Sequence, residues 1–135
     1  MLPVLQSRLS FVFHEIIDVN TISEFYDDDL ESVSQAFTIF LDVVPNDAIM
    51  LATASEKENI MHLQKILHRI KPVFGYVGLN GLVEKLDFYE SECGKIDSVE
   101  QIREELRETT IQINGAIDLI RGEKKRLAAY IDSEI

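Results

Sequence analysis

Between Ile60 and Val77 the apolar side chains Ile60, Leu63, Leu67, Ile70, Phe74 and Val77 alternate steps of three and four residues, the signature of one buried helical face. Ile66 and Val73 widen that stripe on one flank, so the segment from about Lys57 to Gly78 reads as a core helix. Leu30, Val33, Phe37, Phe40, Val44, Ala48 and Leu51 trace a second buried face, which opens at "DDDLESV" with Asp28 and Glu31 in capping-box spacing. Pro45 is expected to kink that helix or divide it in two. Leu79, Leu82, Leu86 and Tyr89 mark another helix from Leu79 to Cys93, with Gly94 as its C-cap. Val99, Ile102, Leu106, Ile113, Ala116 and Ile120 mark the last, which opens at "SVEQ" with Ser98 and Gln101 in capping-box spacing and runs to about residue 131. A short helix near "VNTISEF", with Asn20 as N-cap, precedes them all.

Four main amphipathic helices joined by short connections predict an all-α chain, an antiparallel up-down four-helix bundle with a short extra N-terminal helix. No alternating strand pattern, internal repeat or low-complexity tract competes with that reading. At 135 residues and 46% hydrophobic content the chain can bury a core as one domain over 1–135, with 1–17 an N-terminal extension and 18–131 the core. The initiating Met and the whole bundle favour a free-standing protein.

Charge changes the picture next. A formal net charge of -11, from 24 acids against 13 Lys and Arg, repels nucleic-acid phosphates and anionic lipid, so neither is an expected partner. The opening "MLPVLQSRLSFVFHEII" is interrupted by Arg8, His14 and Glu15 and has no small-residue cleavage site, which argues against a signal peptide. No segment reaches about 18 uninterrupted apolar residues, the length of a bilayer span. The single Cys93 has no internal partner and suits a reducing compartment. A soluble, cytoplasmic monomer is the expectation.

Against that acidic background, Asn59 to Val83 contains no Asp or Glu, while Lys65, Arg69 and Lys71 make it locally basic. At about 100° per residue, Met61, Gln64, His68, Lys71, Gly75 and Gly78 form a second stripe beside the core stripe. It places a histidine and a lysine one turn apart, with two glycines where side chains would otherwise hold a partner off. The plain alternative is that a lone helical histidine is a partly buried polar residue with no chemistry.

"HRIKPVFGYVGL" resembles the phosphoacceptor helix of histidine-containing phosphotransfer domains, with His68, Ile70, Lys71, Gly75, Val77 and Gly78 matching the family pattern in register. Upstream, "DVNTISEFYDDDLESVSQAFTIFLDVVP" is similar to the family's first helices, so the resemblance covers most of residues 18 to 93. It implies a phosphorelay intermediate that is not a self-contained enzyme. His68 would accept a phosphoryl group, through Nε2, from the aspartyl phosphate of a response-regulator receiver domain and pass it to another receiver. A hybrid histidine kinase is the other partner the resemblance suggests. Lys71 would balance charge on the phosphoryl oxygens. The family's orienting acceptor on the next helix falls at Glu90, which would hold the imidazole and raise its basicity; otherwise Glu90 is one more solvated acid in "YESE". No cofactor is implied on this chain, since Mg²⁺ belongs to the receiver. Gln64, Lys65, Arg69, Pro72, Gly75 and Gly78 would form the docking face, with Lys65 and Arg69 either steering the partner or serving as ordinary surface cations.

One residue departs from the pattern. Pro72 stands where the family has Gly, and it removes the helical donor to the His68 carbonyl. That leaves a second function open: a helical interaction module that binds a receiver-like or other signalling protein without phosphotransfer. An exposed His68 favours the carrier and a buried, hydrogen-bonded one the module. Other chemistries fit worse. His62 and His68 are not at the four-residue spacing of helical metal ligands, so no metal site is expected. Gly75, Gly78 and Gly81 lack the ending and setting of a phosphate loop, His14 reads as structural, and no serine sits in a nucleophile elbow.

Overall fold

A computed structural model describes residues 11–134. The described residues form helices and connecting turns, with no strand: α1 (Val19–Tyr26), α2 (Leu30–Ser55), α3 (Ile60–Tyr76), α4 (Asn80–Glu92), a 3-10 turn (Val99–Gln101) and α5 (Arg103–Ser133). Much of the apolar opening, Arg8 included, lies outside the described residues.

The helix starts follow from side chains that accept the first free amides. Asp18, not Asn20, caps α1 through the amides of Asn20 and Thr21. Asp29, not Asp28, caps α2 through Glu31 and Ser32, because Asp27 and Asp28 both turn through positive φ and leave Asp29 as the last extended residue. Ser98 and Gln101 do form a reciprocal capping box, but on the 3-10 turn, after which α5 begins at Arg103. Asn59 caps α3, three residues shorter at its start than the periodicity suggested. Gly94 is not a left-handed cap: α4 ends through Cys93 in right-handed geometry, and among the described glycines only Gly78 has positive φ.

Neither internal proline divides its helix. α2 runs unbroken past Pro45 and α3 past Pro72, since burial of the flanking apolar faces outweighs one missing amide in each. By length and composition α2 is apolar enough to cross a membrane. Within this fold Val33, Phe37, Phe40, Val44 and Leu51 on it have no exposed surface and pack into the core.

The core joins both predicted main stripes to α5. Leu63, Leu67, Ile70 and Phe74 from α3 and Val77 at its C-cap are fully buried, with Val99, Leu106, Ile113 and Ile120 from the C-terminal part. Phe40 meets Phe74 edge to face at 5.2 Å. α4 contributes little, with Leu86 its only fully buried residue.

Residues 11–18 lie along α5 as a strap. Phe11, Phe13 and Ile17 are buried, the His14 amide donates to Glu123 Oε1 at 2.8 Å, and the Asp18 amide donates to the Gly78 carbonyl at 2.8 Å. Arg126 clasps the strap, donating to the Val12 carbonyl at 3.0 Å, lying 4.7 Å over the Phe11 ring and pairing with Glu123. His14 therefore takes a structural place, through its backbone.

Candidate functional site

Three residues, 77–79, connect α3 to α4, so the two helices lie side by side and their side chains meet along their length. Gln64 Nε2 donates to the Glu90 carbonyl at 3.1 Å. His68 Nδ1 lies 2.7 Å from Glu90 Oε2, Lys71 Nζ donates to Asp87 Oδ1 at 2.7 Å, and a side chain at Gly75 would meet Val83 at 3.7 Å. From residue 64 to 71 the sequence thus sets one polar rung per helical turn between the two helices.

His68 stands on the outer face, its side chain 73% exposed, while Glu90 is only 20% exposed. Lys71 is 22% exposed and Asp87 67%. Lys71 is shared: its ammonium donates to Asp87 Oδ1 at 2.7 Å and lies 2.8 Å from Glu90 Oε1, within reach of both carboxylates. Burial pushes the Glu90 carboxyl up, but hydrogen bonds and charge from Lys71 and His68 outweigh it and hold the carboxyl below its ordinary value. The Asp87 and Glu90 carboxylates hold Lys71 above the ordinary lysine range. In the neutral tautomer that donates Nδ1–H to Glu90, Nε2 carries the lone pair and points away from the carboxylate. A ring held in that form on an open surface can act as a nucleophile.

The residues singled out from the sequence do not all share this face. Lys65 and Pro72 are exposed beside His68, and Gly75 is half-buried with room for an alanine. Arg69 is half exposed but tied to the buried Asp47 of α2 at 2.9 Å, which limits its freedom to meet a partner. Gly78 is a correction. It is buried, not part of the docking stripe: its φ of 74° lets the Leu79 amide reach the Phe74 carbonyl, and a Cβ there would stand 3.0 Å from Ile17 and 3.1 Å from the Asp18 carbonyl. The acid-free window is not acid-free in space either, because Asp87 and Glu90 reach in from α4 and Asp47 from α2.

Sequence reasoning missed Asp87, although it precedes Glu90 by one turn and the same count that reached Glu90 would have found it. It also missed Glu123 and Arg126, whose partners lie more than a hundred residues away. Cys93 is buried, and burial together with Glu90 and Glu92 raises its thiol, which leaves it a poor nucleophile. Among the described residues no group of His, Cys, Asp and Glu is gathered to hold a metal. Comparison with protein families, with curated proteins and with solved structures finds no match.

Proposed function

We propose that the protein is a phosphohistidine carrier of the histidine-containing phosphotransfer type, built as an antiparallel up-down four-helix bundle. The single observation that carries this reading is the pairing of an exposed His68 with a largely buried Glu90 through Nδ1. In support of the bundle topology, partners on α3 and α4 run in opposite directions: residues 64, 68, 71 and 75 meet 90, 90, 87 and 83.

In the proposed reaction Nε2 of His68 attacks the phosphorus of a receiver's aspartyl phosphate. A P–N bond forms as the P–O bond to the aspartate carboxylate breaks, and that carboxylate leaves with the electron pair. No proton need move, because the Nδ1 proton stays on the ring and is donated to Glu90, whose charge stabilises the imidazolium as it develops. The receiver would bring its own Mg²⁺ to the phosphoryl oxygens. Lys65 and Lys71 supply positive charge beside the ring, while the bare backbone at Gly75 and the compact Pro72 let the receiver's surface approach. Such a chain fits a cytoplasmic setting, in the same compartment as the receivers.

One observation favours the second reading, a binding module without phosphotransfer: the ammonium of Lys71 is already engaged by two carboxylates. Incubation with a phosphorylated receiver domain decides between them. The carrier gains an acid-labile, base-stable label that His68→Gln abolishes. Equal labelling of His68→Gln removes His68 from the reaction, and receiver binding with no label on the wild-type chain selects the module.

A further inference from the structure

Lys71 faces two competing carboxylates, and they differ in what the fold asks of them. Glu90 is largely buried and meets His68, whereas Asp87 is 67% exposed on α4 and touches no residue of the imidazole pair except through Lys71. Nothing in the packing calls for an anion at position 87. Yet Asp87 Oδ1 lies 2.7 Å from the Lys71 ammonium and Glu90 Oε1 2.8 Å, so the exposed carboxylate holds the lysine as closely as the buried one.

The charge balance gives this arrangement a consequence. With a neutral imidazole, Glu90, Lys71 and Asp87 together carry one net negative charge. Because the Nδ1 proton stays on the ring, transfer to Nε2 would add one more net negative charge, a phosphoryl group of about −2 on a cationic imidazolium, and a cation one turn along α3 that could meet it is the ammonium that Asp87 holds. We propose that Asp87 is a positioning residue that keeps Lys71 on the α4 side of the ladder. It thereby leaves the phosphorylated His68 under-neutralised and ready to give its phosphoryl group away.

This inference rests on the carrier reading and assigns the site a direction. In the onward step a carboxylate oxygen of the receiving aspartate forms the new P–O bond, the N–P bond breaks, and its electron pair returns to Nε2. The Nδ1 proton stays on the ring. Asp87 touches none of the reacting atoms; its negative charge raises the free energy of the phosphorylated state more than that of the free imidazole. An exposed ion pair of this kind corresponds to an effect of about threefold on an equilibrium.

The test uses the full chain as wild type, Asp87→Asn and Asp87→Glu, each brought to equilibrium with the phosphorylated receiver domain that labels it. The ratio of phosphohistidine to phosphoreceiver should rise on the order of threefold in Asp87→Asn and return to the wild-type ratio in Asp87→Glu. A purely structural role for Asp87 would lower the unfolding midpoint and leave that ratio unmoved, and an unchanged ratio in Asp87→Asn overturns the proposal. If wild type takes no label, the carrier reading itself has failed, and the ¹⁵N resonance of Lys71 Nζ is followed with inorganic phosphate instead. A larger response in Asp87→Asn than in wild type then supports a lysine restrained by Asp87, and equal responses overturn it.

Discussion

α4 has two seams, and they are built on opposite plans. Toward α3 it makes a rung at nearly every turn, with Gln64, His68 and Lys71 meeting Glu90 and Asp87. Toward α5 it stands off, leaving an open groove of about 510 Å³ lined by Leu79, Leu82, Ala116 and Leu119 and crossed, among the described residues, by one hydrogen bond, Lys85 to Gln112, at 2.7 Å. Gly81 and Gly115 face solvent-open space at its walls. The comparison teaches that the helix carrying Glu90 is held to the molecule chiefly from one side. The side chains proposed to do chemistry are also part of what keeps α4 in place.

The largest expected effect tests the one fully buried apolar anchor α4 has. Leu86→Ala removes its only fully buried side chain and should cost about 2–5 kcal/mol in chemical denaturation. A loss below about 1 kcal/mol would mean that the polar rungs alone hold α4. Gly78→Ala comes next: a left-handed φ and contacts near 3.0 Å to the strap predict a loss of about 1–3 kcal/mol. Unchanged stability there would separate the α3–α4 turn from the strap.

The polar seam has its own signature in pH. Glu90 is held below the ordinary carboxyl value of 4.5, so its contribution to stability is complete above that value. It fades as pH falls from 4.5 through the lower folded value. Wild type should therefore lose more stability than Glu90→Gln on acidification through this window, and parallel pH profiles would show that the rung does not couple to folding. The smallest effect belongs to the open seam. Gly115→Ala adds a methyl group that meets nothing within 4 Å in a helix interior, and should raise stability by about 0.5–1 kcal/mol. A loss would show that the groove closes on something this close.

The comparison also explains what could be read from the chain and what could not. The core stripes of α2, α3 and α5 were legible because helical periodicity is local, and residues such as Phe37, Leu67 and Ile113 have no exposed surface. The exposure of His68 followed from the same phase argument, one position off the stripe. Cap identity at Asp28 or Asp29 was not legible, since it depends on which of three successive acids is extended and not on composition. The local charge of the site was misjudged for a related reason: a window along one helix does not count Asp87, Glu90 or Asp47, which arrive from its neighbours. Gly78 looked like an open docking position because its phase continues that of Gly75, but the helix ends before it and the chain turns there against Asp18.

The strap has a further consequence, for the order in which the molecule assembles. Its ties to α5 join residues 109 and 114 positions apart, whereas the rungs of the α3–α4 ladder join residues 16 to 26 apart. Closing the longer loops costs more chain entropy and is rewarded only after α5 is in place. The His68 hairpin should thus gain hydrogen-exchange protection early in refolding and the amides of residues 14–18 late, so that the candidate site is already built while the clasp at Glu123 and Arg126 is still to shut.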